Sequence, residues 1–358
     1  MTARFVAAAA ALVSAAVCAV EAGRQTRLDL PVPNPVEWSV PRLLSETGLY
    51  AGGGAQTIDP RNRPFSPQYP LWSDGARKSR WVRLPAGATI DVRDVDAWDF
   101  PVGTRFWKEF EFAGRKVETR LLWRSSAAGW TFASYRWNAQ QTDAELAPAT
   151  GVPNVAEVSP GRRHSIPSVD DCRACHDSAR TEILGFTALQ LSTDRDPLAP
   201  HAEPLAPGMV TLGTLVEEGR LSPARPDLVA TPPRIRAGDA RTRAVLGYLS
   251  TNCGSCHNEQ SSLASLGLLL KAQVGVPADE ADFVRRLLRP TTKWQIPQAS
   301  SSAVVTPGEP DLSALLVRMR SRRPSSQMPP LGTVLHDRAA IELVDGWIRG
   351  LQIGTRAD

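Results

Sequence analysis

Two five-residue segments, Cys172-Arg173-Ala174-Cys175-His176 and Cys253-Gly254-Ser255-Cys256-His257, constrain this chain more than any other feature. Two thiols separated by two residues can form thioethers with the two vinyl groups of one porphyrin. The histidine that follows is then close enough to bind its iron axially. The repetition predicts two covalently attached haem c groups, one on Cys172, Cys175 and His176, the other on Cys253, Cys256 and His257. A four-thiolate zinc site leaves both histidines unexplained. A thioredoxin-like dithiol leaves them equally unexplained and lacks a surrounding βαβ pattern.

The amino terminus reads as an export signal. Arg4 supplies a positive start, residues 5–20 are small or apolar, and Ala19 or Ala22 offers a small residue at a cleavage site. The run is short for a bilayer and ends at Glu21 and Arg24, which disfavours a retained anchor. Lipid attachment at Cys18 is the other alternative, with the bulky Val17 against it. Residues 1–22 are therefore expected to direct the chain to the periplasm or otherwise out of a bacterial cell. Peripheral membrane association stays open. Lys and Arg total 41 against 37 Asp and Glu with no dense basic run, so no nucleic-acid partner is expected.

Residues 23–36 form a Pro-rich arm. From 37 to 158 the chain alternates like a set of strands, as in Trp81-Val82-Arg83-Leu84, Phe106 to Phe112 and Lys116 to Trp123, with Gly87, Gly103, Gly114 and Gly129 between runs. Most of the ten tryptophans lie between Trp38 and Trp137. Core packing is the simpler account of them, against a ligand-stacking face. Gly52-Gly53-Gly54 lacks the Lys-Ser/Thr of a phosphate loop. Beyond a loop rich in Pro and Gly, helices are expected near 210–219, 239–252, 279–289, 311–320 and 337–349. The expected fold class is multidomain β plus α. An N-terminal β-sandwich or barrel-like domain is followed by helical cytochrome c-like haem modules, a first and modified one over 159–238 and a second over 239–358.

Each iron has a second axial face. For the second haem, Met328 in Gln327-Met328-Pro329-Pro330 offers a soft thioether on a loop restricted by proline, whereas Met319 sits in an apolar helical run and reads as core. For the first haem Met209 is the favoured ligand, with His201, His164 or water as alternatives. Glu182, Glu217 and Glu218 read as solvent-facing, and Asp337 of His336-Asp337 as the cap of the last helix.

Further segments carry a family resemblance. In the front half they are Leu71-Trp72-Ser73-Asp74-Gly75-Ala76-Arg77-Lys78-Ser79-Arg80, Phe100-Pro101-Val102-Gly103-Thr104, Val117-Glu118-Thr119-Arg120-Leu121-Leu122 and Tyr135-Arg136-Trp137-Asn138. In the back half they are residues 252–257, Pro307-Gly308-Glu309-Pro310 and Met328-Pro329-Pro330. Over most of residues 40–350 the chain resembles bacterial dihaem cytochrome c proteins with a β-rich amino-terminal region. Its last part also resembles the monohaem cytochrome c fold. That resemblance implies His257 and Met328 as iron ligands, with the helices at 239–252 and 337–349 packed together.

The function expected is one-electron transfer between redox partners by an exported dihaem c-type cytochrome. The β-rich region would dock a dehydrogenase or other redox protein, or cover the first haem. The alternatives are a peroxidase-like dihaem enzyme with an open or displaceable ligand at the first haem, or a redox sensory or substrate-binding protein.

Overall fold

Alternating side chains and two-residue reversals in the front half produce a six-stranded antiparallel sheet. Its strands are β1 (Arg63–Pro64), β2 (Arg77–Arg83), β4 (Arg105–Phe112), β5 (Arg115–Ser126), β6 (Gly129–Trp137) and β7 (Ala144–Leu146), in that spatial order. β3 (Ile90–Asp91) pairs in parallel with the distant β10 (Leu221–Ser222), and β8 (Val152–Ser159) pairs with β9 (Arg162–Ile166). The helices are α1 (Val169–His176), α2 (Leu212–Glu217), α3 (Asp227–Ala230), α4 (Ala240–Asn252), α5 (Glu280–Leu287), α6 (Ala314–Met319) and α7 (Arg338–Gly350). This computed structural model describes residues 40–275, 280–288, 292–297, 299 and 302–351. The expected export signal and Pro-rich arm, with Cys18 and Trp38, lie outside the described residues.

The register sorts side chains onto the two faces of the sheet. Trp81 is opposite Trp107, which is opposite Leu121, which is opposite Ala133. This face packs with Trp123, Tyr135 and Trp137 on Leu44, Leu49 and Tyr50. On the other face Val82, Phe106, Leu122 and Phe132 are aligned. They pack with Phe100, Trp130, Phe186 and Leu215. Most of the described tryptophans are thus accounted for by packing, as expected.

A third cluster joins α4 and α7 through Val245, Leu249, Val344, Trp347 and Ile348. The Trp347 indole donates to Thr242 Oγ1 at 3.2 Å, tying the two helices together. Tyr69, from the segment before β2, belongs to the same cluster. It lies over Gly247 of α4, where a Cβ would fall 2.1 Å from the Tyr69 ring, so only glycine admits this close approach.

The expected fold class requires correction. The described residues form a mostly β structure built on one six-stranded antiparallel sheet with few, short helices. There is no sandwich or barrel-like domain followed by helical cytochrome c-like modules. The physical reason is shared burial. One sheet face is covered by back-half residues such as Phe186 and Leu215, and the apolar stripe of α4 is completed by Tyr69. The helical segments sit close to where periodicity places them, but the cluster they build also takes in Tyr69, Leu189 and Ala199 from outside the expected second module.

Candidate functional site

The first motif occupies the short helix α1. Ser168 caps it, its hydroxyl accepting the Asp171 amide at 3.0 Å while Asp171 Oδ2 accepts the Ser168 amide at 3.0 Å. The helix delivers Cys172, Cys175 and His176 to the inner face of the sheet, where the His176 ring lies 5.2 Å from that of Phe132. His176 Nδ1 bonds to the Glu182 carbonyl. A carbonyl only accepts, so Nδ1 carries the proton and Nε2 keeps its lone pair. Burial pushes the ring down to about 4, so it is a neutral imidazole able to ligate a metal.

The second motif forms the exit of α4. The Cys253 and Gly254 amides both donate to the Leu249 carbonyl, at 2.9 and 3.1 Å. The turn tightens as the His257 amide donates to the Cys253 carbonyl at 2.9 Å. A Cβ on Gly254 would lie 2.4 Å from the Ser250 carbonyl, which explains glycine between these two cysteines. His257 is buried, and burial lowers its pKa. Its Nδ1 has no hydrogen bond of acceptable geometry, although the Leu268 carbonyl is close enough to counter part of that shift.

The two motifs meet. The Cys175 and Cys256 thiols are near enough to influence each other, an interaction that holds Cys256 below and Cys175 above the ordinary thiol value. All four cysteines are free and half-buried. The Asn258 amide nitrogen donates to the Gly254 and Ser255 carbonyls at 3.1 and 2.8 Å, and across to the Ser178 carbonyl at 2.9 Å. Asn258 therefore stitches the second motif to the loop just after the first.

Met328 is fixed by its amide, which donates to the Arg318 carbonyl at 3.1 Å. It lines a narrow cleft with Trp72, Tyr248, Met319 and Arg322. Burial raises the pKa of Tyr248 in this cleft, and the Asp337 charge and then that of Cys253 add to the shift. The Arg318 charge in turn is felt at His257. Met319 is buried in the α4–α7 cluster, as its sequence setting suggests.

The candidates for the first distal position are dispersed. Met209 Sδ accepts the Ala206 amide at 3.4 Å in the turn before Val210. His201 Nε2 bonds Asp337 Oδ1 at 2.8 Å, and Asp337 also caps α7. His164 is buried between two carboxylates, with Nε2 at 3.0 Å from Glu118 and Nδ1 at 3.4 Å from Asp74. Burial works to lower the His164 pKa, but the bonds to Asp74 and Glu118 outweigh it and the net shift is upward. Of the three glutamates read as solvent-facing, Glu182 contributes its carbonyl to His176 and Glu218 pairs with Arg63.

Sequence reasoning assigned no role to the charged residues behind the first motif. Arg120 Nη2 lies 2.5 Å from Glu118 Oε1, and its pKa is sensitive to the charges of Cys172 and Cys175. Asp74 uses Oδ1 to accept the Val334 and Leu335 amides at 2.8 and 2.9 Å. It thereby links His164 to the loop that follows Met328. The available signal was the strand period, because Lys78 and Arg80 share a face with the buried Val82, and Glu118 and Arg120 with Leu122.

Comparison with protein-family models, curated proteins and solved structures returns no match. Among the described residues, no three or more His, Cys, Asp or Glu side chains are grouped to hold a metal ion, and no helix is long and apolar enough to cross a membrane.

Proposed function

We propose that this chain is an exported dihaem c-type cytochrome that passes single electrons between redox partners. The observation that carries the reading is the meeting of two Cys-x-x-Cys-His segments, joined by the Asn258 amide nitrogen that donates to the Ser178 carbonyl at 2.9 Å, with all four thiols free. A covalently held haem supplies reversible one-electron Fe(II)/Fe(III) chemistry.

The chain's own residues fit such groups. Cys172, Cys175, Cys253 and Cys256 would hold them, with His176 and His257 as neutral imidazole ligands. His176 is oriented by the Glu182 carbonyl, an outer bond that fixes the ring and its tautomer. The motif thiols are strongly desolvated yet keep accessible surface. That combination describes side chains lining an interior space rather than packed solidly. Met328, on its anchored loop, would be the second ligand for the group at His257, whereas Met209 adjoins Val210, which pairs with Phe65 at the β1 edge of the sheet, four strands from the Phe132 that His176 rests on. The aromatic walls, with Phe132 at one site and Trp72 and Tyr248 at the other, exclude water. The partner is a soluble or membrane-bound redox protein, such as a dehydrogenase.

Expression in a bacterial host able to attach haem c tests the proposal. The expected product carries two haems per chain that survive denaturation, falling to one in Cys172→Ser/Cys175→Ser and to one in Cys253→Ser/Cys256→Ser. Exported chain with no denaturation-resistant haem would overturn it. Rapid peroxide turnover, with no reduction by any electron-donor protein, would favour a peroxidase-like enzyme instead.

A further inference from the structure

The inner face of the sheet contains a row of cations that its own carboxylates do not neutralise. Arg80 on β2 is directly opposite Lys108 on β4, which is directly opposite Arg120 on β5. The row spans roughly 10 Å over three strands. Lys78 lies two residues from Arg80 on the same face. Like charges in opposed cross-strand positions repel, and away from water the repulsion is poorly screened.

Two carboxylates are paired with this group. Glu203 lies 2.9 Å from Arg80 and Glu118 lies 2.5 Å from Arg120, and Glu118 is shared with His164. Asp74 is taken up by His164 and the Val334 and Leu335 amides, while Asp337 gives Oδ1 to His201 and the Ala340 amide and acts on Lys78 through its charge without an ion pair. Among the described residues Lys108 forms no ion pair; its ammonium lies 4.9 Å above the Phe110 ring, and Glu118 attracts it at longer range. Lys78 donates to the Leu71 carbonyl at 2.8 Å. The Arg80 side chain is 5% exposed, and its Nη2 is buried with no hydrogen-bond partner. Desolvation, then the neighbouring cations, pushes Lys78 to about 7 and Lys108 well down. Lys78 and Arg80 are buried and Lys108 and Arg120 half-buried, and a protein rarely desolvates such a group without a counter-ion.

The row also runs to the first motif. Phe132, against which His176 rests, is on the same face, opposite Leu122. Arg120 and Lys108 are the cations felt at His176, whereas Lys78 and Arg80 lie at the end away from the thiols.

We propose that Lys78, Arg80 and Lys108 form a binding site for organic carboxylate, which the unpartnered Arg80 Nη2 and the Lys108 ammonium receive. The occupant is either a propionate of a haem tethered at Cys172 and Cys175, an assignment that rests on the function proposed above, or a free small carboxylate. Arginine gives such a group directed N–H donors, and lysine gives it a compact charge.

The test compares the holoprotein with Lys108→Gln, Arg80→Gln and the conservative Lys108→Arg, after haem content has been counted. With a propionate in the site, Lys108→Gln lowers the reduction equilibrium constant of one haem about tenfold, or ~59 mV for a one-electron couple. The other haem is unchanged, and Lys108→Arg restores the value. In this case succinate does not bind the holoprotein by calorimetry but does bind Cys172→Ser/Cys175→Ser, and adding Lys108→Gln abolishes that binding. With a free carboxylate in the site, succinate binds the holoprotein, Lys108→Gln weakens it at least tenfold, and both potentials stay in place. If Arg80→Gln fails to fold, the lysine variants decide. The proposal is overturned if neither potential moves and succinate binds none of these proteins. Absence of haem would defeat the functional reading alone, since succinate binding still tests the site.

Discussion

The two Cys-x-x-Cys-His segments carry the same ligating groups into unlike surroundings. At the second, Cys253 ends a helix whose Val245, Leu246 and Leu249 are fully buried against α7, with Trp347 alongside. At the first, α1 has no buried residue and rests on a sheet face that carries Lys108, Arg120 and Glu118. The motif therefore repeats the same thiols and imidazole, while the wall behind it sets the electrostatic surroundings. Burial and outer hydrogen bonds tune a metal centre beside its ligands, so under the proposed function haems held by these two segments would titrate at distinct potentials.

The sharpest way to break this contrast is to remove an aromatic side chain from the packing behind each motif. Trp347→Ala deletes a buried side chain and its bond to Thr242 and is expected to cost about 3–5 kcal/mol. Phe132→Ala, on a half-buried residue, is expected to cost about half as much. Urea denaturation reads both, and equal losses would erase the distinction between an apolar and a charged site.

Next in size is Asp74→Ala. It leaves the Val334 and Leu335 amides and His164 without their acceptor in a buried place, at about 3 kcal/mol. A loss under about 1 kcal/mol by the same method would show that water replaces the carboxylate without penalty. Spectroelectrochemistry ranks the distal residues. Met328→Leu should lower the affinity of one haem for an electron about tenfold or more, as thioether ligation raises the potential. Met209→Leu should produce the smaller change, because the Met209 sulfur already engages the Ala206 amide. The reverse ranking would remove Met328 from the second site.

The smallest effect is pH-dependent. His164 has its pKa raised above the ordinary 6.5 by Asp74 and Glu118, against the pull of burial. A folded-state value above the unfolded one stabilises the fold fully below 6.5, and the contribution declines as pH rises through the raised value. The stability gap between the unaltered protein and His164→Gln should therefore be widest below pH 6.5 and narrow above it. A gap constant across that range would mean that His164 remains neutral.

Much of the local structure could be read from sequence because its signals are local. The apolar stripe and the Asp337 cap locate α7 within a residue, and α4 occupies 240–252 where 239–252 was expected. The layering was not legible. Alternation implies one buried face per strand, but here Trp107 and Phe106, adjacent in β4, are both buried on opposite sides. A strand covered on both faces by different parts of the chain gives no sign of what covers it. The cysteines, histidines and Met328 stood out by type and spacing. Lys78, Arg80, Lys108, Glu118 and Arg120 did not, because charge in a strand ordinarily marks the wet side.

Asp74 has a bearing on inheritance. Its Oδ1 is the acceptor for amides 260 and 261 positions further along the chain, and its Oδ2 meets a histidine 90 positions away. A mutation at 74 thus disturbs the neighbourhood of both motifs at once, so its repair has to arise at 164 or in the loop after Met328. In lineages descended from this chain, those positions should drift together, and a recombination crossover between 74 and 334 should succeed only between parents that share the same acceptor.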